Sequence, residues 1–454
     1  MIKNLIYYYR RNFFISLYII MSLPKEINYT EQMNSLPANT QSKSIVISPA
    51  NLTTLSTTTG GTAQFNLQNT GFIIPSSMYL RGKVAVVGTS NAAEMFQRGI
   101  PAYSLWSKSA VIIGSQVVEQ INGYGRLATA LVDLKLSPAG KSGMSPAFAL
   151  TNEVDAQTLN TRLNGRLSDT NNADSYSFAA PLPNLLSLSE KLLPAEYMPS
   201  MRIELTLDIL SNMFAQAAAN SSADSLTISN LELVYTEVQF GGDFAPTLMS
   251  LADSNGDVLI KSQSYQTATQ TLSGIAGTQT LTYNQRLSSV KSVLAYFDGV
   301  GANRVNGIYD AVDVTRGEAG DGGSYQFQIG GVYYPQVALD TARCRAGVFA
   351  ELSNAFSPSH DYYSGQMAIS PLEWSRDENV TSTQTSPAKF FIGVNTERLD
   401  TNGVMLSGVS TALVPISLNV RCDAAPSATL AHLVTLFDAI IQVNLVNKTC
   451  SVKI

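Results

Sequence analysis

Residues 201–210 read MRIELTLDIL. Apolar Ile203, Leu205, Leu207 and Ile209 alternate without a slip against Arg202, Glu204, Thr206 and Asp208. A period of two marks a strand with one dry face and one wet face. The same phrase returns downstream as PISLNVRC. There Ile416, Leu418, Val420 and Cys422 alternate with Pro415, Ser417, Asn419 and Arg421. From Ile203 to Ile416 the offset is 213 residues.

Three further markers keep this order and nearly this offset. AQFNLQNTGFIIPSSMYLRGKVAV is a strand, a break and a longer strand. TQTLTYNQRLSSVKSVLAYF repeats that plan and sets Leu80 against Leu294. A helical pattern spans about Tyr124 to Leu134 and leads into LSPAGKSGM. A second, about Thr341 to Phe356, leads into FSPSHDYYSGQM. Each half ends on a strand, LTISNLELVYTEVQF up to Phe240 and IIQVNLVNKTCSVKI at Ile454. In the first of these the inward parity runs Leu226, Ile228, then Leu231, Leu233, Tyr235, then Val238, Phe240. Two bulges would produce those two shifts.

The chain therefore divides into two similar halves. Residues 43–241 and 257–454 each carry about eight strands, and 242–256 link them. Residues 1–42 form an N-terminal arm. Eight antiparallel strands close most naturally as two packed sheets. The expected fold is all-β: two tandem eight-stranded jelly-roll (β-sandwich) domains with short helices in their loops.

Of the 454 residues, 45% are hydrophobic and 14% charged, against a usual charged share of about a quarter. Ser, Thr, Asn and Gln take the place of charge, a polar surface suited to meeting other protein surfaces. The net charge is −5. A protein that grips nucleic acid by its phosphates shows a basic patch or stripe; beyond Arg10 and Arg11 there is none, so strong nucleic-acid binding is not expected. Cys344, Cys422 and Cys450 are far apart and read as three buried free thiols. His360 and His432 are the only histidines, too few for His-based metal sites or Ser-His chemistry.

The first twenty residues, MIKNLIYYYRRNFFISLYII, precede Met21. Arg10 and Arg11 break the apolar run a transmembrane helix needs, and no small-residue cleavage site follows. One reading starts the protein at Met21 and leaves 1–20 out of the mature chain. The alternatives are a membrane-active or cleaved peptide and a buried arm.

Several motifs invite a chemistry that the spacing withholds. Gly123, Gly125 and Ala128 form G-x-G-x-x-A before a helix, the context of a dinucleotide site. The strand before it carries Gln116, Glu119 and Gln120, unlike a parallel strand buried on both faces, so an Asn-Gly turn into a helix is the better reading. Gly140, Lys141 and Ser142 resemble the end of a P-loop, but Lys135 stands where its first glycine belongs. Asp253, Asn255 and Asp257 begin like a calcium loop, then place Val258 and Ser264 where Gly and Glu are required. Asp310, Asp313, Glu318 and Asp321 read as a solvated loop tip. Tyr333, Tyr334, Tyr362 and Tyr363 read as packing or interface aromatics rather than a stacking platform. Asn28, Asn51, Asn220, Asn379 and Asn447 match the glycosylation acceptor, which matters only in a secreted chain. No catalytic, cofactor-binding or metal-ligating residue is assigned, and no cofactor is expected.

In pattern, the strand-break-strand openings, VEQINGYGRL leading into its helix, LELVYTEVQF and SYQTATQTLSGIAGTQTLTYNQRLSSVKSVLAYF resemble the double jelly-roll major capsid proteins. The resemblance is to those of polinton-like viruses and virophages, within the wider adenovirus-like lineage, and covers about residues 43–454. It implies homotrimers in which six rolls make a pseudo-hexameric block tiling an icosahedral shell in the virion. It implies neighbouring trimers, penton and minor capsid proteins as partners, and no enzyme activity; an internal membrane is left open. Loops Gly301–Gly323 and Pro371–Lys389 would form an outer crown or lock neighbouring subunits, and the arm, about Met21–Gln41, an inner tie. The competing class is a tandem β-sandwich adhesin or lectin-like carbohydrate-binding protein. A hydrolase comes third, for want of a carboxylate pair that stands out.

Overall fold

The structure, a computed structural model, describes residues 40–58, 60–88, 95–97, 99–150, 173–216, 223–241, 244–298, 323–341, 344–356, 367–369, 390–397, 406–422 and 430–454. Eight main strands lie in the first half: β1 (Gln41–Ile47), β2 (Thr62–Asn66), β3 (Phe72–Gly88), β4 (Trp106–Ile113), β5 (Gln116–Asn122), β6 (Ala173–Pro181), β7 (Met201–Leu207) and β8 (Ala223–Gln239). Eight more lie in the second: β9 (Asp257–Thr271), β10 (Gly277–Tyr283), β11 (Val290–Asp298), β12 (Ser324–Ile329), β13 (Val332–Asp340), β14 (Phe391–Asn395), β15 (Ile416–Cys422) and β16 (Leu430–Asn444).

The hydrogen-bonded order is β1-β8-β3-β6 and β2-β7-β4-β5 in the first half, and β9-β16-β11-β14 and β10-β15-β12-β13 in the second. The two sets are the same topology, strand for strand, and all of the ladders are antiparallel. Each half is a jelly roll of two four-stranded sheets. Short strands extend them: Thr54–Ser56 joins β8, and Thr449–Lys453 joins β16.

The decapeptide becomes β7. Met201, Ile203, Leu205 and Leu207 are buried, while Arg202, Glu204 and Thr206 are half-buried. Each buried aliphatic contributes about 1.5–3 kcal/mol relative to leaving it in water. The alternation stops one pair early, for Ile209 is exposed. Asp208 Oδ1 accepts from the Ile209 N–H and from Asn212 Nδ2, both at 2.8 Å, and turns the chain. Its counterpart β15 also stands second in its sheet, with Ile416, Leu418, Val420 and Cys422 buried.

Leu80 and Leu294 are likewise equivalent. Each sits buried on the third strand of its roll and faces the eighth, Leu80 opposite Leu233 and Leu294 opposite Val434. Of the two bulges expected in β8, the first is present between Ser229 and Glu232, with Asn230 at φ 50°. The second belongs to the partner strand. At Val234/Thr236 the register jumps from Tyr79 to Ile74, so the surplus residues lie on β3 around Pro75, while β8 keeps an unbroken ladder with β1. As a result Glu237 points inward, fully buried, where the sequence pattern placed Val238 and Phe240.

Helix α1 (Tyr124–Lys135) connects β5 to β6, α2 (Phe244–Leu251) lies between the rolls in the chain, and α3 (Arg345–Phe356) connects β13 to β14. The expected second helix thus starts at Arg345 rather than near Thr341. Thr341 N–H and Oγ1 both donate to the Gly323 carbonyl, at 3.0 and 3.1 Å, which ties that residue to the sheet. Only Cys422 of the three thiols is buried. Cys344 is exposed in the turn before α3, and Cys450 is partly covered on the edge strand Thr449–Lys453.

Candidate junction between the rolls

The tempting motifs are consumed by structure. Gly123 adopts φ 65° to turn β5 into α1. Gly125 packs so tightly that a Cβ there would stand 2.3 Å from the Tyr103 carbonyl oxygen. Lys141 Nζ donates to Asp133 Oδ1 at 2.6 Å in a buried pair, and Ser137 Oγ accepts from the Gly140 N–H at 3.0 Å to cap the helix Pro138–Gly143. Asp253 Oδ1 accepts from the N–H groups of Asn255 and Asp257, at 2.8 and 2.9 Å. Asp257 is held by Gln442 and Asn444. Among the described residues, no group of three or more His, Cys, Asp or Glu is placed to hold a metal. Nor, among them, is any helix long and apolar enough to cross a membrane.

The arm before residue 40 and the crown loops 301–322 and 371–389 lie outside the described residues. So do Asp310, Asp313, Glu318, Asp321, His360, Tyr362, Tyr363, Asn28, Asn220 and Asn379. Tyr333 and Tyr334 lie on β13, the outermost strand of its sheet.

What the fold does build is a polar seam between the rolls. The edge strand β5 of the first roll lies against β9 of the second. Ser264 Oγ donates to Glu119 Oε1, which also accepts from the Leu185 N–H at 2.9 Å. Ser262 Oγ donates to the Leu185 carbonyl at 2.5 Å. Lys135 Nζ donates to the Tyr265 hydroxyl at 2.7 Å, and Thr267 Oγ1 to the Asn122 carbonyl at 2.8 Å. Glu119 is fully buried, and burial pushes its carboxyl up to about 7 against the pull of its two donors. Beside the seam, a cleft of about 470 Å³ is lined by residues of both rolls, among them Gly123, Arg126, Asp208, Tyr296 and His432. The Tyr296 ring stacks on His432 with centroids 4.8 Å apart.

Each roll also holds a buried carboxylate at one equivalent place. Glu237 follows Leu233 along β8 as Asp438 follows Val434 along β16. Glu237 accepts from Thr70 Oγ1 and Asp438 from Ser289 Oγ, both at 2.8 Å, and each donor lies just before the third strand of its roll. Lys43 stands 3.5 Å from Glu237, and Lys261 and Lys291 stand 3.9 and 4.0 Å from Asp438. Glu119, Glu237 and Asp438 carry no short-motif signal in the sequence. Their one clue is that a charged residue interrupts an otherwise apolar face, as Asp438 does between Leu436 and Ile440.

Two rolls of one topology, joined by a buried polar seam, define a double jelly-roll protein. Neither a family model nor a curated protein sequence matches the chain. Solved structures do. The PBCV-1 virus capsid subunit superposes with TM-score 0.57 at 9% identity, over 93% of this chain and 98% of that one. The Faustovirus major capsid protein gives TM-score 0.57 at 9% identity, over 92% of each. The chain in the cryo-EM structure of the Sputnik virophage gives 0.54 at 10%, over 95% of this chain and 92% of that one. The fold is shared over more than nine-tenths of each chain, at 9–10% sequence identity.

Proposed function

We propose that this chain is a major capsid protein: a structural, non-enzymatic subunit that forms homotrimers and tiles the icosahedral shell of a virus or virophage. Its place is the virion, among neighbouring trimers, with other proteins at the five-fold vertices. The carrying observation is the likeness to capsid proteins that spans both rolls and more than nine-tenths of each chain compared. The seam supports the same reading. Its side-chain bonds, two to the other roll's backbone and two to its side chains, hold the two rolls as one rigid unit. Residues 41–241, starting with β1 two residues before the boundary expected at 43, and 257–454 are the two rolls, 242–256 the link and the residues before 41 the arm.

Native mass spectrometry with negative-stain imaging tests this. The expected species has three times the 48.8 kDa chain mass and a hexagonal outline. A monodisperse, elongated species of one chain mass refutes it.

A further inference from the structure

The buried carboxylate of the second roll has a setting that its counterpart in the first roll lacks. Asp438, on β16, is 0% exposed, and its two oxygens are held differently. Oδ2 accepts from Ser289 Oγ at 2.8 Å and from the Ser407 N–H at 3.2 Å. Oδ1 accepts no hydrogen bond among the described residues, yet two amines face it, Lys261 Nζ at 3.9 Å and Lys291 Nζ at 4.0 Å.

A second carboxylate completes the group. Glu397 Oε1 stands 3.0 Å from Lys291 Nζ, and the two side chains are only 11% and 16% exposed. The fold aims these groups at one place. Val290 faces Phe437 and Ser292 faces Leu436, so Lys291 is the surplus residue of a bulge on β11. The Lys291 carbonyl accepts from the Thr396 N–H at 2.8 Å, which sets Glu397 alongside as the chain leaves β14. Ser407 Oγ donates to Glu397 Oε1, and the backbone pairing of Val409 with Val290 keeps Ser407 within reach. In the first roll both oxygens of Glu237 are engaged, by Gln239 Nε2 at 2.7 Å and Thr70 Oγ1 at 2.8 Å. Lys43 beside it is exposed, and among the described residues it pairs with no second carboxylate.

We propose that the side chains of Lys291 and Asp438 condense into an amide, a covalent link between the third and eighth strands of the second roll. Glu397 takes one proton from the Lys291 ammonium and passes it to Asp438 Oδ1. The freed Nζ lone pair attacks Asp438 Cγ. Negative charge then collects on Oδ2, where Ser289 Oγ and the Ser407 N–H already donate. Nζ gives up a second proton to Oδ1, the Cγ–Oδ1 bond breaks and water leaves. An ammonium and a carboxylate have become a neutral amide and one water, Glu397 ends as it began, and no co-reactant is needed. The product also relieves the burial of two charges, which is costly in a dry site. Lys261 is a bystander, because the other carboxylate it meets, Glu190, lies 3.7 Å away and is 51% exposed. It has no sheltered group to take its proton.

Mass spectrometry of the full chain tests the link. Denatured, the unmutated chain is expected to be lighter by one water than the Lys291→Arg and Glu397→Gln variants, once the substitutions themselves are allowed for. Lys261→Arg should keep the loss. A tryptic digest of the unmutated chain needs no variant to fold. It should yield one branched peptide, residues 287–304 with Lys291 uncut, joined to residues 422–448. Complete cleavage after Lys291, with residues 422–448 recovered unbranched, overturns the proposal. So does a water loss that maps to Lys261, or to the buried pair Lys141 and Asp133.

Discussion

Glu119→Gln is the substitution that isolates the seam's electrostatics. The carboxyl is fully buried and raised to about 7 from an ordinary 4.5, chiefly by desolvation, with Ser264 and the Leu185 N–H pulling the other way. A proton is therefore held more tightly in the folded chain than in the unfolded one. The resulting stability is fully present below about pH 4.5 and is lost as pH rises through about 7. Between those two values each tenfold change in proton concentration removes about 1.4 kcal/mol, so the whole loss is roughly 3 kcal/mol. The neighbouring phenols do not titrate in this window, because burial raises both Tyr103 and Tyr124 further above 10. Glutamine keeps an oxygen to accept from Leu185 and Ser264 but carries no charge. Urea unfolding, followed by the fluorescence of buried Trp106, should give similar midpoints for both proteins near pH 4.5. Near pH 8 the variant should be the more stable. A difference between the two that does not change with pH would show that Glu119 is not the buried, proton-holding group described here.

Two more substitutions probe how the first roll is packed. Lys141→Met removes the Nζ partner of the buried Asp133 carboxylate, and breaking such a pair costs about 3–5 kcal/mol; a urea midpoint within error of the unmutated chain would contradict the buried pair. Gly125→Ala drives a methyl into the Tyr103 carbonyl. Backbone cannot step aside as a side chain can, so the cost is at or above the roughly 1–3 kcal/mol of ordinary overpacking. Thermal unfolding should show a lowered midpoint, and an unchanged one would mean the helix Pro101–Ser104 does not abut α1 as described.

The doubling was legible because it is written in the period of the strands. β7 and β15 bury every second residue, and a face that must stay dry tolerates no slip in that alternation. Leu80 and Leu294 were matched from sequence for the same reason. Where the reading failed, a specific bond outvoted the pattern. Asp208 ended β7 before Ile209, Thr341 held to Gly323 and delayed α3, and the surplus residues around Pro75 let Glu237 take an inward place. The seam was not legible at all. Ser264 and Glu119 are far apart in the chain, and neither residue type announces a partner. A polar residue on a strand reads as solvent-facing until a second domain is known to cover it.

That cover explains why the seam is polar rather than greasy. An apolar interface between two sheet edges is satisfied in many registers, since burial is non-directional. The seam's side-chain donors are different. Ser262 finds the Leu185 carbonyl, Ser264 finds Glu119, Lys135 finds Tyr265 and Thr267 finds the Asn122 carbonyl, all in one relative placement of the rolls. Sliding β9 along β5 by a residue pair would leave several of these groups buried and unmatched, at about 1–3 kcal/mol each. The matched bonds add less than that to stability, so their main effect is to exclude the wrong placements. In the proposed capsid role the chain would have to hold its two rolls at one fixed angle, because any error within it would be passed to each neighbour.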